Sequence, residues 1–512
     1  MTAAAFVLSA RNRFERLFAA LTDPMRCERT MLVVLFGYLT AWSLYAIVAK
    51  SSQDIHADMG EMVAWAHDAG LGTPKHPPLA AWLVRAWFAI LPRQDWAYYV
   101  FAILLATVAL WVAWRLSARY LPPEKRVAGL ALLTLVPFYN FHAIKFNANT
   151  VLTPLWALTT WWFLRSFASR RVGPAALVGI AAAAAMLAKY WSATLVAGLG
   201  LAALCDPRRD AYFRSPAPYV TLAVGTVLLT PHVDWLITHR FVPFDYAMAA
   251  HPATFAAAAI SALYFVAASL CYIAAPVVLT LLAVRPDAAA VGDTVWPAEA
   301  ERRMPVIVFA APFAVAVLVA LLLSVEIESL WAISMMTLLP VVLLSSPLAR
   351  LSRGTAVGFV ALAVVFPLLM LLSAPLSAIY DHQKGVPNYA GDYRLVAQAV
   401  ERARRAHTDR PLRIVGSVNF VNGIVFYFAE QPSTYDVDNP ALTPWVNDDR
   451  IRRDGIALVC PEPEPFCMRA LPAYAARHHA VADEHIEVSR HYLGIPGKVQ
   501  RYEIVIILPQ QS

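Results

Sequence analysis

The feature that most constrains this chain is a series of apolar stretches between residues 31 and 376, most of them close to bilayer length. A helix that crosses a membrane needs about 20 mostly apolar residues. Hydrocarbon offers backbone polar groups no water, so only helices and closed barrels cross it. The stretches are Met31–Val48, Trp96–Trp114, Val127–Tyr139, Val151–Phe167, Pro174–Leu187, Trp191–Leu204, Tyr219–Leu236, Phe255–Val284, Pro305–Leu323, Leu330–Leu344 and Gly354–Leu376. About eleven spans are expected. Val127–Tyr139 and the pair split at Lys189-Tyr190 are short, and read as shallow or broken helices. The chain is 59% hydrophobic and 15% charged, where a soluble chain is about half apolar and a quarter charged. The charges are unevenly spread. Residues 381–512 hold 15 Lys+Arg and 16 Asp+Glu, against 27 and 19 in residues 1–380. The expected architecture is therefore a multi-pass α-helical membrane protein over residues 1–380, with an α/β domain over residues 381–512 at its C-terminus.

The basic residues orient the chain, because cytoplasmic loops are enriched in Lys and Arg. With the N-terminus inside, the inner loops carry clusters such as Arg11, Arg13 and Arg16; Arg115, Arg119, Lys125 and Arg126; Arg165, Arg170 and Arg171; and Arg208, Arg209 and Arg214. The outer segments keep far fewer. An odd number of spans then puts the C-terminal domain outside, in the periplasm of a bacterial inner membrane. The N-terminal arginines precede a full-length span with no small-residue cleavage site, so no cleavable signal peptide is expected. Cys460 and Cys467 both fall in the outer domain, where an oxidising compartment permits a disulfide; two buried thiols are the alternative.

The first outer segment, residues 51–94, reads as two interfacial helices. Asp54, Asp58 and Glu61 sit at i, i+4 and i+7, which places three carboxylates on one helical face. Lys75-His76-Pro77-Pro78 opens the second helix with prolines in its first turn, and Leu79, Trp82, Leu83, Ala86, Trp87 and Ile90 form its apolar stripe. In the C-terminal domain, Tyr393–Ala406 reads as an amphipathic helix. Leu412–Val415 and Ile456–Val459 read as strands, Gln500–Leu508 as an edge or final strand, and Val421–Phe428 as a helix or a strand. The domain has no Gly-rich nucleotide loop, nucleophile elbow or HExxH, so it is expected to shape substrate or pack rather than to carry chemistry.

Polar and ionisable residues near membrane depth are costly and mark function. Here they gather at the outer face: the acids of the first loop, Lys75 and His76, His142, Lys145, Asn147 and Asn149, Lys189, His232, His251, Glu326 and Glu328. Cations and carboxylates in an apolar setting suit a lipid-linked, phosphorylated substrate. Lys binds phosphate as a point charge, and a carboxylate can take a hydroxyl proton.

Asp54, the Lys75-His76-Pro77-Pro78-Leu79 run and the first-loop helix pair resemble membrane glycosyltransferases of the GT-C type. Within these the match is to glycosyltransferase family 39/83, which includes protein O-mannosyltransferases and lipid A aminoarabinose transferases. The segments Tyr139–Thr150 and Leu187–Trp191 resemble rhizobial galacturonosyltransferase-like members. The likeness covers roughly residues 30–350. It implies inverting transfer of a sugar from a polyprenyl-phosphate donor to a hydroxyl of a lipid or glycan acceptor, such as lipid A or its core. By position, Asp54 matches the family's catalytic base. Lys189, Lys145 and His76 match sites that hold the leaving phosphate, and Asp58, Glu61, Lys75, Asn147 and Asn149 line the substrate region. His251 falls near a metal-binding histidine of relatives, but the partner acid there corresponds to Lys75 here. No metal ligand is assigned, and a divalent ion stays an open requirement. Asn149 stands where relatives often carry an acid, and Glu328 where many carry a base, so the resemblance does not name the sugar.

Simpler roles compete. Ser51-x-x-Asp54 also fits a capping box, Asp58 is a rival base, and Glu61 can serve as a structural partner for a lysine. Lys145 and Lys189 can snorkel to the interface, Asn147 and Asn149 can cap the next span, and the histidines can be structural. A transporter or flippase of lipid-linked sugar is the alternative function. It would set charges near the midplane on broken helices, often within internal repeats, whereas here they cluster at one face with no repeat. Nucleic acid is excluded as a partner, because the basic residues are spread over inner loops and form no single patch.

Overall fold

The computed structural model describes residues 3–68, 70–385, 392–462, 464–478 and 480–510. Six of its helices are long and apolar enough to cross a membrane: Cys27–Ala49, Asp95–Ser117, Ala217–Thr238, Phe255–Tyr272, Ala300–Leu323 and Arg353–Lys384. The pair Pro123–Leu133 and Pro137–Ile144, bent by 78°, makes a seventh if it counts as one span. The other stretches among the expected eleven form shorter or more polar helices, each for a local reason. The expected span Phe255–Val284 is two helices, Phe255–Tyr272 and Ala274–Val284. Pro276 lacks an N–H, and its ring would clash with the carbonyl four residues back, at Tyr272. Ala148–Ser169 has the length, but its threonines and tryptophans hold its hydropathy down. The expected break at Lys189-Tyr190 is present between Val172–Ala188 and Ser192–Cys205.

The chain packs as two compact units, residues 1–44 with 100–372 and residues 45–99 with 373–512. The first outer loop thus groups with the C-terminal segment, and the units do not follow a linear division at residue 380.

In the first unit the apolar helices pack on small residues. A Cβ on Gly179 would lie 2.7 Å from the Thr221 carbonyl oxygen. The helices Val172–Ala188 and Ala217–Thr238 therefore cross closely, and Thr221 Oγ1 donates to the Ala175 carbonyl at 2.9 Å.

The second unit contains a five-stranded sheet. The strands of this unit are β1 (Ile414–Ser417), β2 (Ser433–Asp436), β3 (Ile456–Pro461), β4 (Ala482–Val488), β5 (His491–Tyr492), β6 (Ile495–Pro496) and β7 (Gln500–Ile507), of which β5 and β6 pair with each other outside the sheet. The sheet order is β2-β1-β3-β7-β4. Strand β1 runs parallel to β2 and β3, while β7 runs antiparallel to β3 and β4. The expected final strand is thus interior, with apolar residues on both faces. Ile504 and Ile506 join the core under the helix Tyr393–Arg405, and Val505 and Ile507 the core with Cys460, Cys467 and Leu471. Residues 421–427 settle as a helical turn, Val421–Ile424 followed by Val425–Tyr427. Cys460 and Cys467 form a disulfide, with Cα atoms 5.5 Å apart. Gly60 sets the seat of the first-loop helix in this unit, since a Cβ there would come 2.5 Å from the Asn422 carbonyl oxygen.

Candidate functional site

The first-loop helix begins at Ala57 and ends at Asp68. Asp54 therefore precedes it, and the expected single face of three carboxylates does not form. The His56 ring sets the start: the Asp58 amide donates to His56 Nδ1 at 3.0 Å. Likewise the second helix, Leu79–Ile90, starts after Pro78 rather than at Lys75.

Asp54, Asp58 and Glu61 consequently have three different environments. Asp58 sits beside His56, with Oδ1 3.5 Å from Nδ1. Glu61 accepts from Lys75 Nζ at 2.9 Å, the structural pairing that sequence allowed; burial raises its carboxyl and Lys75 lowers it. Both line a small cavity with Trp65, Asn419, Asn422 and Asp436. His76 packs edge-on against Trp65, ring centres 5.5 Å apart, and its carbonyl accepts from Thr73 Oγ1 at 2.9 Å.

Asp54 is fully buried, with 0% of its surface exposed. Its neighbours hold it on two sides. The backbone N–H of Arg394, in the first turn of Tyr393–Arg405, donates to Oδ2 at 2.9 Å. Arg490, between β4 and β5, donates from Nη2 to Oδ1. Arg394 Nε lies 3.9 Å from the same oxygen, while its Nη2 donates to both oxygens of Asp95 at 3.2 and 3.1 Å. Tyr427 closes the group by accepting the Ile55 amide at 2.9 Å and donating to Asp95 at 3.3 Å. Burial pushes the Asp54 carboxyl above its ordinary range, and Arg490 and the Arg394 amide pull it back. Nearby Asp392, also buried, is pushed up to about 6, with Arg490 opposing and Asp54 adding to the rise. Each carboxylate oxygen of Asp54 accepts one hydrogen bond from these groups. A carboxylate has about four acceptor positions, so capacity remains for a hydroxyl. The Nε of Arg490 is buried without a hydrogen-bond partner among the described residues.

Sequence reading missed Arg394, Arg490, Asp95, Asp392 and Tyr427. Arg490 is 436 positions from Asp54, and no local pattern links them. The C-terminal segment, expected only to shape substrate or pack, thus supplies groups that touch the candidate base.

In the first unit, Lys189 ends the helix Val172–Ala188 in extended backbone. Its Nζ donates to Asn149 Oδ1 at 2.8 Å and lies 4.4 Å from the centre of the Trp331 ring. Trp331 also meets His251 edge-on at 5.5 Å, and its carbonyl accepts from Trp191 Nε1 at 3.1 Å. The structure therefore brings Asn149, Lys189 and His251 together around Trp331, a residue the sequence did not single out. Asn147 caps Ala148–Ser169 in a reciprocal box with Thr150, as one sequence alternative had it. Lys145 follows the short helix Phe141–Ile144. An apolar cavity of about 300 Å³ in this unit, lined by Leu21, Met31, Tyr38, Leu130 and Val360 among others, offers no charged group for a phosphate.

Among the described residues, His251 joins no group of three metal-ligand side chains. The group that does converge is elsewhere: Asp483 and His485 on β4 and Glu503 on β7, with ligand atoms within 4.8 Å of one another.

The solved structure of ArnT from Cupriavidus metallidurans bound to undecaprenyl phosphate matches 92% of this chain and 97% of its own length, with a TM-score of 0.61 at 13% identity. The chain shares the fold of that ArnT. The apo structure of the same ArnT matches equally, with a TM-score of 0.61 over 94% of this chain and 98% of that one. A family model described as dolichyl-phosphate-mannose-protein mannosyltransferase matches residues 75–235, which include Lys75, Lys145, Asn149 and Lys189. The lipid A galacturonosyltransferase RgtD of Rhizobium johnstonii is 24% identical over 214 residues. That match spans 41% of this chain and 44% of RgtD, less than half of the relative's length.

Proposed function

We propose that this protein is an inverting glycosyltransferase of the GT-C type that moves a sugar from a polyprenyl phosphate to a hydroxyl of a lipid A-like or other glycan acceptor, at the periplasmic face of the inner membrane. The observation that carries the reading is Asp54: a fully buried carboxylate held by Arg490 and the Arg394 amide. Burying an ionised carboxylate without partners is costly, and a paired, oriented one whose pKa is raised by burial is suited to proton transfer. In this reading Asp54 takes the acceptor's hydroxyl proton as that oxygen bonds to the sugar's anomeric carbon. The bond from that carbon to the phosphate oxygen breaks on the opposite side, and the lipid phosphate leaves with the electron pair. Arg490 and Arg394 position Asp54. Lys189, held by Asn149 and the Trp331 face, is assigned to the donor phosphate. Asp58, Lys75, His76, Lys145 and His251 are assigned to binding or support, with no chemical step.

The ArnT structure with undecaprenyl phosphate and the similarity to a lipid A galacturonosyltransferase support the donor and acceptor classes. The test is transfer by purified protein in lipid, using undecaprenyl-phosphate sugars and a lipid A acceptor, with the product anomer read by NMR. Transfer with inversion is expected. Binding of the donor without transfer to any hydroxyl acceptor would sink the assignment in favour of transport.

A further inference from the structure

The first unit carries a basic cavity that the proposed transfer does not use. Four helix ends meet there: the start of Cys27–Ala49, the end of Asp95–Ser117, the start of Pro123–Leu133 and the end of Ala148–Ser169. The cavity measures about 350 Å³ and is lined by Glu28, Arg115, Arg119, Arg126 and Arg165, with Trp161 and Tyr120 beside them.

The charges do not cancel. Glu28 serves two arginines, accepting from Arg115 Nη1 and Arg126 Nη2 at 3.0 Å each. Arg119 donates to Glu301 at 2.6 Å. Arg165 lies against aromatic faces, 5.7 Å from the Trp161 ring and 5.3 Å from Trp162. Four guanidinium groups thus face two carboxylates. The arginines also differ in what holds them. Arg126 is fixed in the structure: its side chain is 11% exposed, it lies 3.3 Å over the Trp114 ring, and it donates to the Trp114 carbonyl. Arg115 and Arg119 are 41% and 43% exposed, within reach of a ligand.

We propose that this cavity binds the phosphate headgroup of an anionic phospholipid. Its place at the ends of membrane helices, its apolar and aromatic walls and its net positive lining match the basic pockets that hold such headgroups. Guanidinium forks suit phosphate oxygens, and the indole and phenol rings suit the interfacial zone. Arg119 and Arg165 are the ligand-contacting pair, while Arg126 and Glu28 hold the wall.

The test uses the full-length protein in a neutral detergent, with thermal unfolding followed as lipid is added. Phosphatidylglycerol is expected to raise the unfolding temperature by about 5 °C at saturation, whereas phosphatidylcholine and inorganic phosphate leave it unchanged. Arg119→Gln and Arg165→Gln should each weaken the apparent affinity for phosphatidylglycerol about fivefold. Among the described residues Arg165 meets the Trp161 and Trp162 rings and no carboxylate, so Arg165→Gln remains informative if Arg119→Gln unfolds. Arg171→Gln, an exposed arginine outside the cavity, should respond like the unaltered protein. Equal stabilisation by inorganic phosphate would overturn the lipid assignment. A response lost equally in Arg171→Gln, or kept in both cavity variants, would overturn the site.

Discussion

Asp54 in the first-loop unit and Lys189 in the membrane unit are the two ionisable groups on which the proposed transfer turns, and their surroundings differ. Asp54 is enclosed by charge: Arg490, Arg394 and, one shell further, Asp95 and Asp392. Lys189 is held by an amide oxygen and an indole face. A buried carboxylate between cations is kept ionised and aimed. The Lys189 ammonium meets an amide oxygen and an indole face, and it is the group proposed to meet the donor phosphate. The difference fits the two tasks proposed for them, a proton acceptor in one unit and an anion holder in the other, and each substitution below breaks one side of that contrast.

The largest effect belongs to Asp54. Asp54→Asn keeps the shape and removes the proton acceptor, so turnover should fall about 100- to 10,000-fold with donor affinity little changed, measured by steady-state transfer and donor binding. Arg490→Ala should come next. It leaves the buried carboxylate with less compensation, and removing one partner of a buried pair costs about 3–5 kcal/mol where nothing relaxes. Turnover at neutral pH should drop at least tenfold, with Arg490→Lys restoring part of it. In the other unit, Asn149→Asp would give Lys189 a carboxylate partner. The contrast predicts a donor KM raised about tenfold, as about 1.4 kcal/mol of competition implies, with kcat altered less. The smallest effect is on stability alone. Replacing Cys460 and Cys467 by serine opens a loop of seven residues and should cost about 2 kcal/mol. Calorimetry should show the loss in the transition of the outer unit and leave lipid binding by the membrane unit unchanged.

Much of the fold was legible. The apolar runs, the break at Lys189 and the α/β tail follow from hydropathy and periodicity, and Asn147 showed its capping pattern with Thr150 locally. Other features were hidden because their causes are not local. Pro276 divided a run that composition read as one span. The first-loop helix starts at Ala57, beyond Asp54, where the His56 ring accepts the Asp58 amide. Of the Asp54 group, only Asp54 itself was readable. Arg394, Arg490 and Tyr427 reach it across more than three hundred positions of chain, and pairing at that distance leaves no mark in one sequence. Trp331 escaped notice for a related reason, since an apolar chain holds many tryptophans and only packing shows which one faces a lysine.

The central claim is that Asp54 is the proton acceptor and that Arg490 sets its ionisation. The measurement that tests it most directly is kcat/KM against pH for the unaltered protein and for Arg490→Ala. The groups that face Asp54 are Arg490, Arg394, Asp95, Asp392, Tyr393, Tyr427 and Tyr502. A base must be ionised to act, so activity should fall as pH drops through the raised pKa of Asp54. That acid limb should lie above the ordinary aspartate range near 3.9. Loss of the Arg490 charge should move it upward by about one to three pH units. An acid limb at the ordinary aspartate value, or one that stays in place when Arg490 is removed from an active, folded enzyme, would contradict the account.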